Sequence, residues 1–339
     1  MGDVQEIDIG RDAWVVLCYS CMDNLCHTLT GAAFGEAGLK HRTACGNATL
    51  MIASNLPDID VLIFFTDSTG FAFRRGWTHG ILAQAVLPIA LASLMWGIGR
   101  ARRMEVRFGW LLALSYTGVL SHVFLDYLNN YGIRLLAPFD WTWFYGDAVF
   151  IADVVLWTFL GAGVWLARRQ RAPVFARGAL LFTTGYIAVA LISTHIARGI
   201  VADAWRALRG REPARVMVGP VPVMPFTRVV IVDDGDKYEV GTFQWRDQSV
   251  VFEPMTLPKN DMAPEVASAR EQSAGVREFL VWARFPVWTL APVPTGTQVT
   301  VFDLRFMSRP LNGAIFQAST VVEAPSPRDV FGQTPPMSR

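Results

Sequence analysis

A histidine and an aspartate four residues apart, His122 and Asp126, stand at the end of an apolar run that starts near Gly109. In a helix this spacing puts both side chains on one face, one turn apart. Imidazole nitrogen and carboxylate oxygen are both zinc ligands in proteins, so the pair can bind one metal ion. A buried histidine satisfied by a nearby aspartate has the same spacing. The pair alone therefore leaves a metal site and a structural contact equally open.

The composition of the 339-residue chain favours a membrane protein. Hydrophobic residues make up 52% of the chain and charged residues only 17%, which is more apolar than a typical soluble enzyme. The formal net charge of +1 gives no argument for a nucleic-acid partner. The length favours two domains over one.

Four apolar stretches have about the twenty residues needed to cross a bilayer, namely 79–98, 109–129, 148–167 and 178–197. Loops 99–108 and 168–177 each carry four arginines, whereas loop 130–147 carries one. The positive-inside rule then places both arginine-rich loops in the cytoplasm and loop 130–147 outside. Arginines that follow the last stretch oppose this orientation, but long translocated domains follow the rule poorly. The sequence does not decide whether segments 23–40 and 43–65 also cross.

The composition changes after residue 208. Stretches 229–232 and 238–243 flank an acidic turn and predict a β-hairpin. Further strands are predicted at 248–252, 297–306 and 314–322, and a loop at 254–275. The predicted fold class is mainly α, a multi-helix membrane-embedded bundle with a smaller β-rich C-terminal domain. The predicted organisation is an N-terminal extension (1–21), a helical membrane domain (22–205), an extracytoplasmic β-rich domain (206–324) and a disordered tail (325–339).

Ionisable residues in the apolar region gather at one depth. Ionisable groups inside membrane spans are costly and usually mark function. In the predicted topology these groups lie near the external ends of several segments, whereas scattered structural histidines and aspartates would have no reason to share a depth. The group consists of Asp58, Asp60, His79, His122, Asp126, Asp147 and Asp153.

Sets of histidine and aspartate often hold metal ions that hydrolyse phosphoesters, with a carboxylate bridging two ions. Asp126 is the predicted bridge. Arg74 or Arg75, close to His79, could hold a phosphate oxygen; the alternative is that these arginines are interfacial anchors beside Trp77. His195 has no acidic partner nearby, and His41 belongs to a basic cluster, so both are predicted to lie outside the site.

Five motifs, in order, resemble the bacterial inner-membrane metal-dependent hydrolases of the YdjM type over about residues 22–200. They are the stretches 23–31, 56–60 and 75–80, the pair His122-x-x-x-Asp126, and 143–147 with the following Asp153. The resemblance implies a multi-pass protein of the bacterial inner membrane. It implies metal-dependent chemistry more firmly than a substrate.

The order Asp, His, His-x-x-x-Asp is also similar to the zinc-dependent phospholipase C and single-strand nuclease superfamily. This similarity implies that Asp58 or Asp60 completes one ion's ligands with His79, His122 and Asp126, and that His27 with Asp126 begins a second site. Two departures put the number of ions in doubt. Asp147 and Asp153 stand where that superfamily has further histidines and a glutamate, and Arg74 stands where many relatives have a histidine.

The resulting hypothesis is a membrane-bound hydrolase in which metal-activated water attacks a phosphoester of a membrane lipid or lipid-linked substrate. The expected cofactor is a divalent metal, with zinc favoured, as one or more ions. The predicted ligands are His27, Asp58, Asp60, His79, His122, Asp126 and Asp153, and the predicted catalytic residues are Arg75 and Asp147. The alternatives are a transporter that uses the same residues to relay protons, and a membrane-anchored scaffold.

Overall fold

The computed structural model describes residues 24–66, 68–307 and 316–323. The predicted N-terminal extension and C-terminal tail lie outside these residues. The chain forms two compact units. The first contains the helical region and most of a four-stranded sheet, up to residue 256, and the second contains residues 236–238 and those from 257 onward. The first unit thus includes part of the segment 206–324 that the sequence assigned to a separate domain.

Six α-helices and two 3-10 helices build the helical region of the first unit within the described residues. The α-helices are α1 (24–36), α2 (Gly46–Ala53), α3 (Ile81–Ala101), α4 (Phe108–Leu128), α5 (Val154–Gln170) and α6 (Val174–Arg209). The 3-10 helix Leu56–Phe65 lies between α2 and α3, and a short one, Leu39–His41, follows α1. Among the described residues, α3, α4 and α6 are the three helices long and apolar enough to cross a membrane.

The predicted span 148–167 corresponds to α5, which begins six residues later than predicted. Asp153 is the reason, because its Oδ1 accepts hydrogen bonds from the backbone N–H groups of Val155 (3.0 Å) and Leu156 (3.1 Å). An aspartate that satisfies these otherwise unpaired N–H groups marks the start of a helix. The helix has 17 residues, which is shorter than the roughly 20 that a crossing along the membrane normal needs.

Helix α4 lies between two hydrophobic cores. Leu125 and Leu128 belong to a core shared with α1, α5 and α6, while Leu111 and Val119 belong to a core shared with α2 and α3. Because α4 is covered on both sides, its polar residues at 122 and 126 are fully buried. Buried polar groups need partners, and the arrangement of the neighbouring helices supplies them.

The four-stranded sheet follows α6 directly and has the order β1-β2-β3-β4. Its strands are β1 (Arg215–Pro220), β2 (Thr227–Asp233), β3 (Lys237–Gln244) and β4 (Ser249–Pro258). The predicted hairpin at 229–243 is confirmed as β2 and β3. Helix α6 extends twelve residues beyond the predicted span because Ala197, Val201 and Trp205 continue its apolar stripe and pack on the sheet.

The second unit contains α7 (Pro264–Gln272), α8 (Ala274–Trp282) and a three-stranded sheet of order β5-β6-β7. The strands are β5 (Pro286–Val293), β6 (Gly296–Asp303) and β7 (Gln317–Glu323), with a short 3-10 helix, Leu304–Phe306, after β6. The predicted loop at 254–275 is wrong, since β4 extends to Pro258 and α7 follows. Only Val266 and Ala269 of α7 are buried, so its apolar periodicity is too weak to identify a helix.

Candidate metal centre

Four buried side chains from three chain segments meet in the first unit. Asp58 comes from the 3-10 helix Leu56–Phe65, His79 from the turn before α3, and His122 and Asp126 from α4. One potential ligand atom from each lies within 4.8 Å of all the others. Helix α3 begins two residues after His79, and α4 ends two residues after Asp126. The four side chains therefore gather where the candidate span α3 begins and the candidate span α4 ends.

The distances within this group match those of a four-coordinate metal site. The Nε2 atoms of His79 and His122 are 3.1 Å apart. Asp126 Oδ2 lies 3.2 and 3.4 Å from these two nitrogens, and Asp58 Oδ1 lies 3.7 and 3.8 Å from them. Four ligands bound tetrahedrally to zinc at about 2.0–2.1 Å are about 3.3 Å from one another. The donor set and its spacing thus fit one such ion.

The orientation of His122 is fixed by α2. Its Nδ1 lies 2.8 Å from the backbone carbonyl oxygen of Ser54. A carbonyl oxygen only accepts hydrogen bonds, so Nδ1 carries the hydrogen and the lone pair of the neutral ring is on Nε2. This second hydrogen bond is typical of metal-binding histidines, because it fixes both the tautomer and the ring plane.

His79 is oriented in the same way through a hydroxyl group. Its Nδ1 is 2.9 Å from Thr78 Oγ1, which in turn donates to Asp60 Oδ2 at 3.2 Å. The hydroxyl has one hydrogen, so when it donates to Asp60 it accepts from the Nδ1–H of His79. When both rings are neutral, both histidines therefore direct an Nε2 without hydrogen inward. Two such lone pairs 3.1 Å apart repel each other unless a proton or a metal cation lies between them.

Two buried arginines neutralise part of the acidic charge. Arg74 contacts Asp58 and Asp60, each at 3.3 Å, and Arg75 Nη2 lies 2.9 Å from Asp126 Oδ1. Burial favours the neutral guanidinium of Arg74, but attraction by Asp60 and Asp58 outweighs it and raises the pKa of Arg74. Both side chains are buried, so the alternative of interfacial anchors beside Trp77 does not describe them.

His27 contacts one carboxylate oxygen of Asp126, whereas His79 and His122 contact the other. Its Nε2 is 3.4 Å from Asp126 Oδ1, and its ring stacks on that of His122 with the centroids 3.8 Å apart. Asp126 thus directs Oδ2 towards His79 and His122, and Oδ1 towards His27 and Arg75. The predicted bridging position of Asp126 is consistent with this arrangement, although Arg75 already supplies a positive charge on the Oδ1 side.

Three aspartates of the predicted site lie outside the group of four. Asp60 accepts from the backbone N–H of Arg75 at 2.8 Å and from Thr78, and thereby supports His79. Asp147 accepts from Arg198 at 3.1 Å. Asp153 caps α5 and accepts from the hydroxyl of Tyr186 at 2.9 Å, so its carboxylate is occupied by structural contacts. The catalytic role of Asp147 stays a prediction.

Three residues that support the centre were not predicted from the sequence. Ser54 provides the carbonyl oxygen that orients His122, Thr78 orients His79, and Asn129 Oδ1 accepts from Arg75 Nη1 at 3.0 Å. Thr78 and Asn129 lie next to predicted site residues, which is a signal that could have identified them. Ser54 acts through its backbone, so its residue type carries no such signal.

Gly118 allows the contact between α4 and α2 that positions His122. A Cβ at residue 118 would lie 2.4 Å from Ala53 Cβ and 2.9 Å from the backbone nitrogen of Ser54. Gly118→Ala should therefore push the helices apart, lower stability by about 1–3 kcal/mol through overpacking, and weaken metal binding. Gly109→Ala on the same helix is the control, since a Cβ there meets nothing within 4 Å. Equal unfolding temperatures and metal affinities for the two variants would contradict this account.

The Thr78 hydroxyl should matter for metal affinity. Thr78→Val keeps the shape but removes the link between His79 Nδ1 and Asp60, and loss of such an outer-shell partner typically weakens metal binding by about 10–100-fold. Competition with a chelating dye measures the affinity. Thr117→Val is the matched control, because the exposed Thr117 hydroxyl bonds only the Ala113 carbonyl of its own helix among the described contacts. Unchanged affinity in Thr78→Val would show that the hydroxyl does not orient the ligand.

Comparison with known families assigns the region that contains the site to one family. The family model described as YdjM inner membrane protein matches residues 22–197, which is more than half of the chain and includes all four members of the group. No curated protein matches the chain, and no solved structure does. The family resemblance inferred from the motifs is thus confirmed, whereas the similarity to the phospholipase C and nuclease superfamily stays a prediction.

Proposed function

We propose that this chain, which belongs to the YdjM inner membrane protein family, is a membrane-bound metal-dependent hydrolase. The observation that carries the proposal is the buried group of Asp58, His79, His122 and Asp126, in which two bare imidazole nitrogens and two carboxylates face one point. Arg74 and Arg75 compensate part of the buried negative charge, and buried charges are stable only when they are paired. A metal ion bound by all four side chains would supply a further partner.

The ligands of the proposed ion are His79 Nε2, His122 Nε2, one oxygen of Asp58 and Oδ2 of Asp126. When bound, a divalent ion would act as a Lewis acid and lower the pKa of a water towards about 7, which would provide a nucleophile at neutral pH. Because the four side chains already fill a four-coordinate site, this water would have to be an additional ligand or replace one of the carboxylate oxygens. The donors are imidazole and carboxylate, which suit zinc and similar first-row ions. The chain's own contribution is to hold these donors in place through Ser54, Thr78 and Asp60.

We propose a single ion, with Arg75 as the second positive charge. A carboxylate that bridges two ions directs one oxygen to each. Here Asp126 Oδ2 faces the two bare histidine nitrogens, but Oδ1 is 2.9 Å from the Arg75 guanidinium. Arginine donors in a fork geometry bind phosphate oxygens well. Arg75 is therefore the group that we expect to hold a phosphoryl oxygen next to the ion.

The substrate is proposed to be a phosphoester of a lipid or lipid-linked molecule. The centre lies where the candidate spans α3 and α4 begin and end, respectively, and the ends of helices that cross a bilayer lie near the lipid headgroups. The side chains of His79, His122 and Asp126 are 0% exposed, whereas those of Asp58, Arg74 and Arg75 keep 6–8% of their surface accessible. The substrate phosphate is thus expected to approach past Asp58 and the two arginines.

The proposal is tested with the purified full chain in detergent. Phosphomonoester, phosphodiester and lipid phosphoester substrates are screened with the zinc-loaded protein, with protein treated with a chelator, and with a His79→Ala variant. We expect hydrolysis of at least one class that is lost on chelation, restored by added metal and absent in the variant. A protein that binds metal but hydrolyses none of these substrates would favour the transporter or scaffold alternatives.

A further inference from the structure

A second site in the first unit lies away from the four metal-binding residues. It is a cavity of about 1330 Å³ between α5, α6 and the loop that joins β1 to β2. Ligand pockets commonly measure roughly 300–1,000 Å³, so this cavity has room for a large ligand. Its walls are mainly apolar and include Val155 and Phe159 of α5 and Val189 and Ile192 of α6.

The loop that covers the cavity is itself apolar and exposed. Residues 220–226 contain three prolines, and Val223, Met224 and Phe226 are 79%, 57% and 71% exposed. These side chains line the same cavity as Val189 and Ile192, which are also exposed on the candidate span α6. Contiguous exposed apolar surface of this kind marks an interaction site. Because this surface continues onto a candidate membrane-spanning helix, lipid is the surrounding that its apolar character favours.

A buried cation lies at the polar side of the cavity. Arg228, in β2, is only 5% exposed, and its guanidinium donates to the carbonyl oxygen of Ala148 (2.9 Å) and to Ser193 Oγ (3.4 Å). Among the described residues it forms no ion pair, and its Nε has no hydrogen-bond partner. Asp153 lines the same cavity, but its two oxygens are occupied by the α5 N–H groups and by the Tyr186 hydroxyl.

Arg228 stays protonated although its burial favours the neutral form. Burial lowers the pKa of Arg228, and attraction by Tyr186 and Asp153 offsets this only in part. An arginine in a protein is nevertheless protonated at neutral pH, and a buried charge is costly unless it is paired. The cavity therefore contains a buried positive charge, next to apolar walls, that Asp153 compensates only in part. The complementary ligand has one anionic group and a long apolar part.

We infer that this cavity binds an anionic lipid from the bilayer, with the headgroup phosphate at Arg228 and an acyl chain along α5 and α6. The apolar loop 220–226 would close over the chain. The inference does not depend on hydrolysis, because binding here requires neither the metal nor its ligands. Metal content and lipid binding can consequently be measured separately.

The test uses native mass spectrometry of the full chain, with phosphatidylglycerol and phosphatidylcholine of identical acyl chains as probes. We expect the wild-type protein to retain phosphatidylglycerol at least ten-fold better than phosphatidylcholine. Arg228→Gln should remove this preference and leave the metal content unchanged. Arg246→Gln is the matched control, because Arg246 lines the same cavity but is exposed, and it should keep the preference. A wild-type protein without preference, or an equal loss in both variants, would overturn the inference.

A second measurement covers the case in which Arg228→Gln does not fold. Phosphatidylglycerol with a photoreactive diazirine in its acyl chain is crosslinked to the wild-type protein, and the modified peptides are identified. Crosslinks are expected in residues 148–159, 186–196 and 220–228. If crosslinks are equally frequent on the exposed face of α3, the protein contacts lipid without a specific site, and the inference is refuted.

Discussion

Replacing His122 by alanine is expected to remove tightly bound metal from the purified protein. In the proposed site the substitution removes one of two nitrogen ligands, and loss of even an outer-shell partner weakens metal binding by about 10–100-fold. Loss of a direct ligand should therefore lower the affinity by about 100-fold or more. Elemental analysis of the purified chain after dialysis should find about one equivalent of a transition metal in the wild type and almost none in the variant.

His195→Ala is the matched control for this experiment. His195 lies on the candidate span α6 but is exposed, and it is outside the group of four. Its replacement should leave the metal content unchanged, which separates loss of a ligand from a general effect of removing an imidazole. Circular dichroism of both variants verifies the fold. Full metal content in His122→Ala would mean that the ion, if present, binds elsewhere.

Replacing Arg75 by glutamine is expected to destabilise the metal-free protein by about 3–5 kcal/mol. This is the range for breaking a buried ion pair by removing one partner, because the other charge is left buried and uncompensated. Arg75 is 5% exposed, and its partner Asp126 is fully buried. Unfolding of the detergent-solubilised protein by denaturant measures the loss. Added zinc should recover part of it, because a bound cation neutralises Asp126 in place of the guanidinium.

Two further variants make this prediction specific. Arg206→Gln breaks the pair with Glu212, in which both side chains are largely exposed, and such an exposed pair contributes little to stability. Asp126→Asn together with Arg75→Gln removes both charges, so the double variant should be more stable than the sum of the single effects predicts. If the effects of Arg75→Gln and Asp126→Asn are additive, Arg75 does not compensate the charge of Asp126. The same conclusion follows if zinc stabilises Arg75→Gln no more than it stabilises Arg206→Gln.

The local parts of the centre were predictable from the sequence. His122 and Asp126 are four residues apart on one helix, and helix geometry alone puts them on one face. His79 and Asp58 were identified by their order in the family motifs and by their shared depth. The backbone of the 3-10 helix Leu56–Phe65 decides that Asp58 rather than Asp60 joins the group. Asp153 does not join because it caps α5. These are contacts between distant segments, which spacing along the chain does not encode.

The parts of the fold that could not be predicted have a common physical cause. The last three turns of α6 pack on a sheet instead of lipid, and the apolar stripe of Ala197, Val201 and Trp205 looks the same in either setting. Helix α7 buries too few side chains to show a period. The carbonyl oxygen of Ser54 orients His122 only because Gly118 lets two helices approach closely. In each case the partner surface, which the local sequence does not specify, decides the structure.

X-ray absorption spectroscopy of the zinc-loaded protein tests the proposed centre, because the spectrum reports the atoms bound to the metal. We expect two imidazole nitrogens and two carboxylate oxygens at about 2.0–2.2 Å, and an imidazole contribution reduced from two rings to one in any zinc that His79→Ala still binds. A sulfur ligand at about 2.3 Å, or an ion surrounded by oxygen atoms alone, would contradict it.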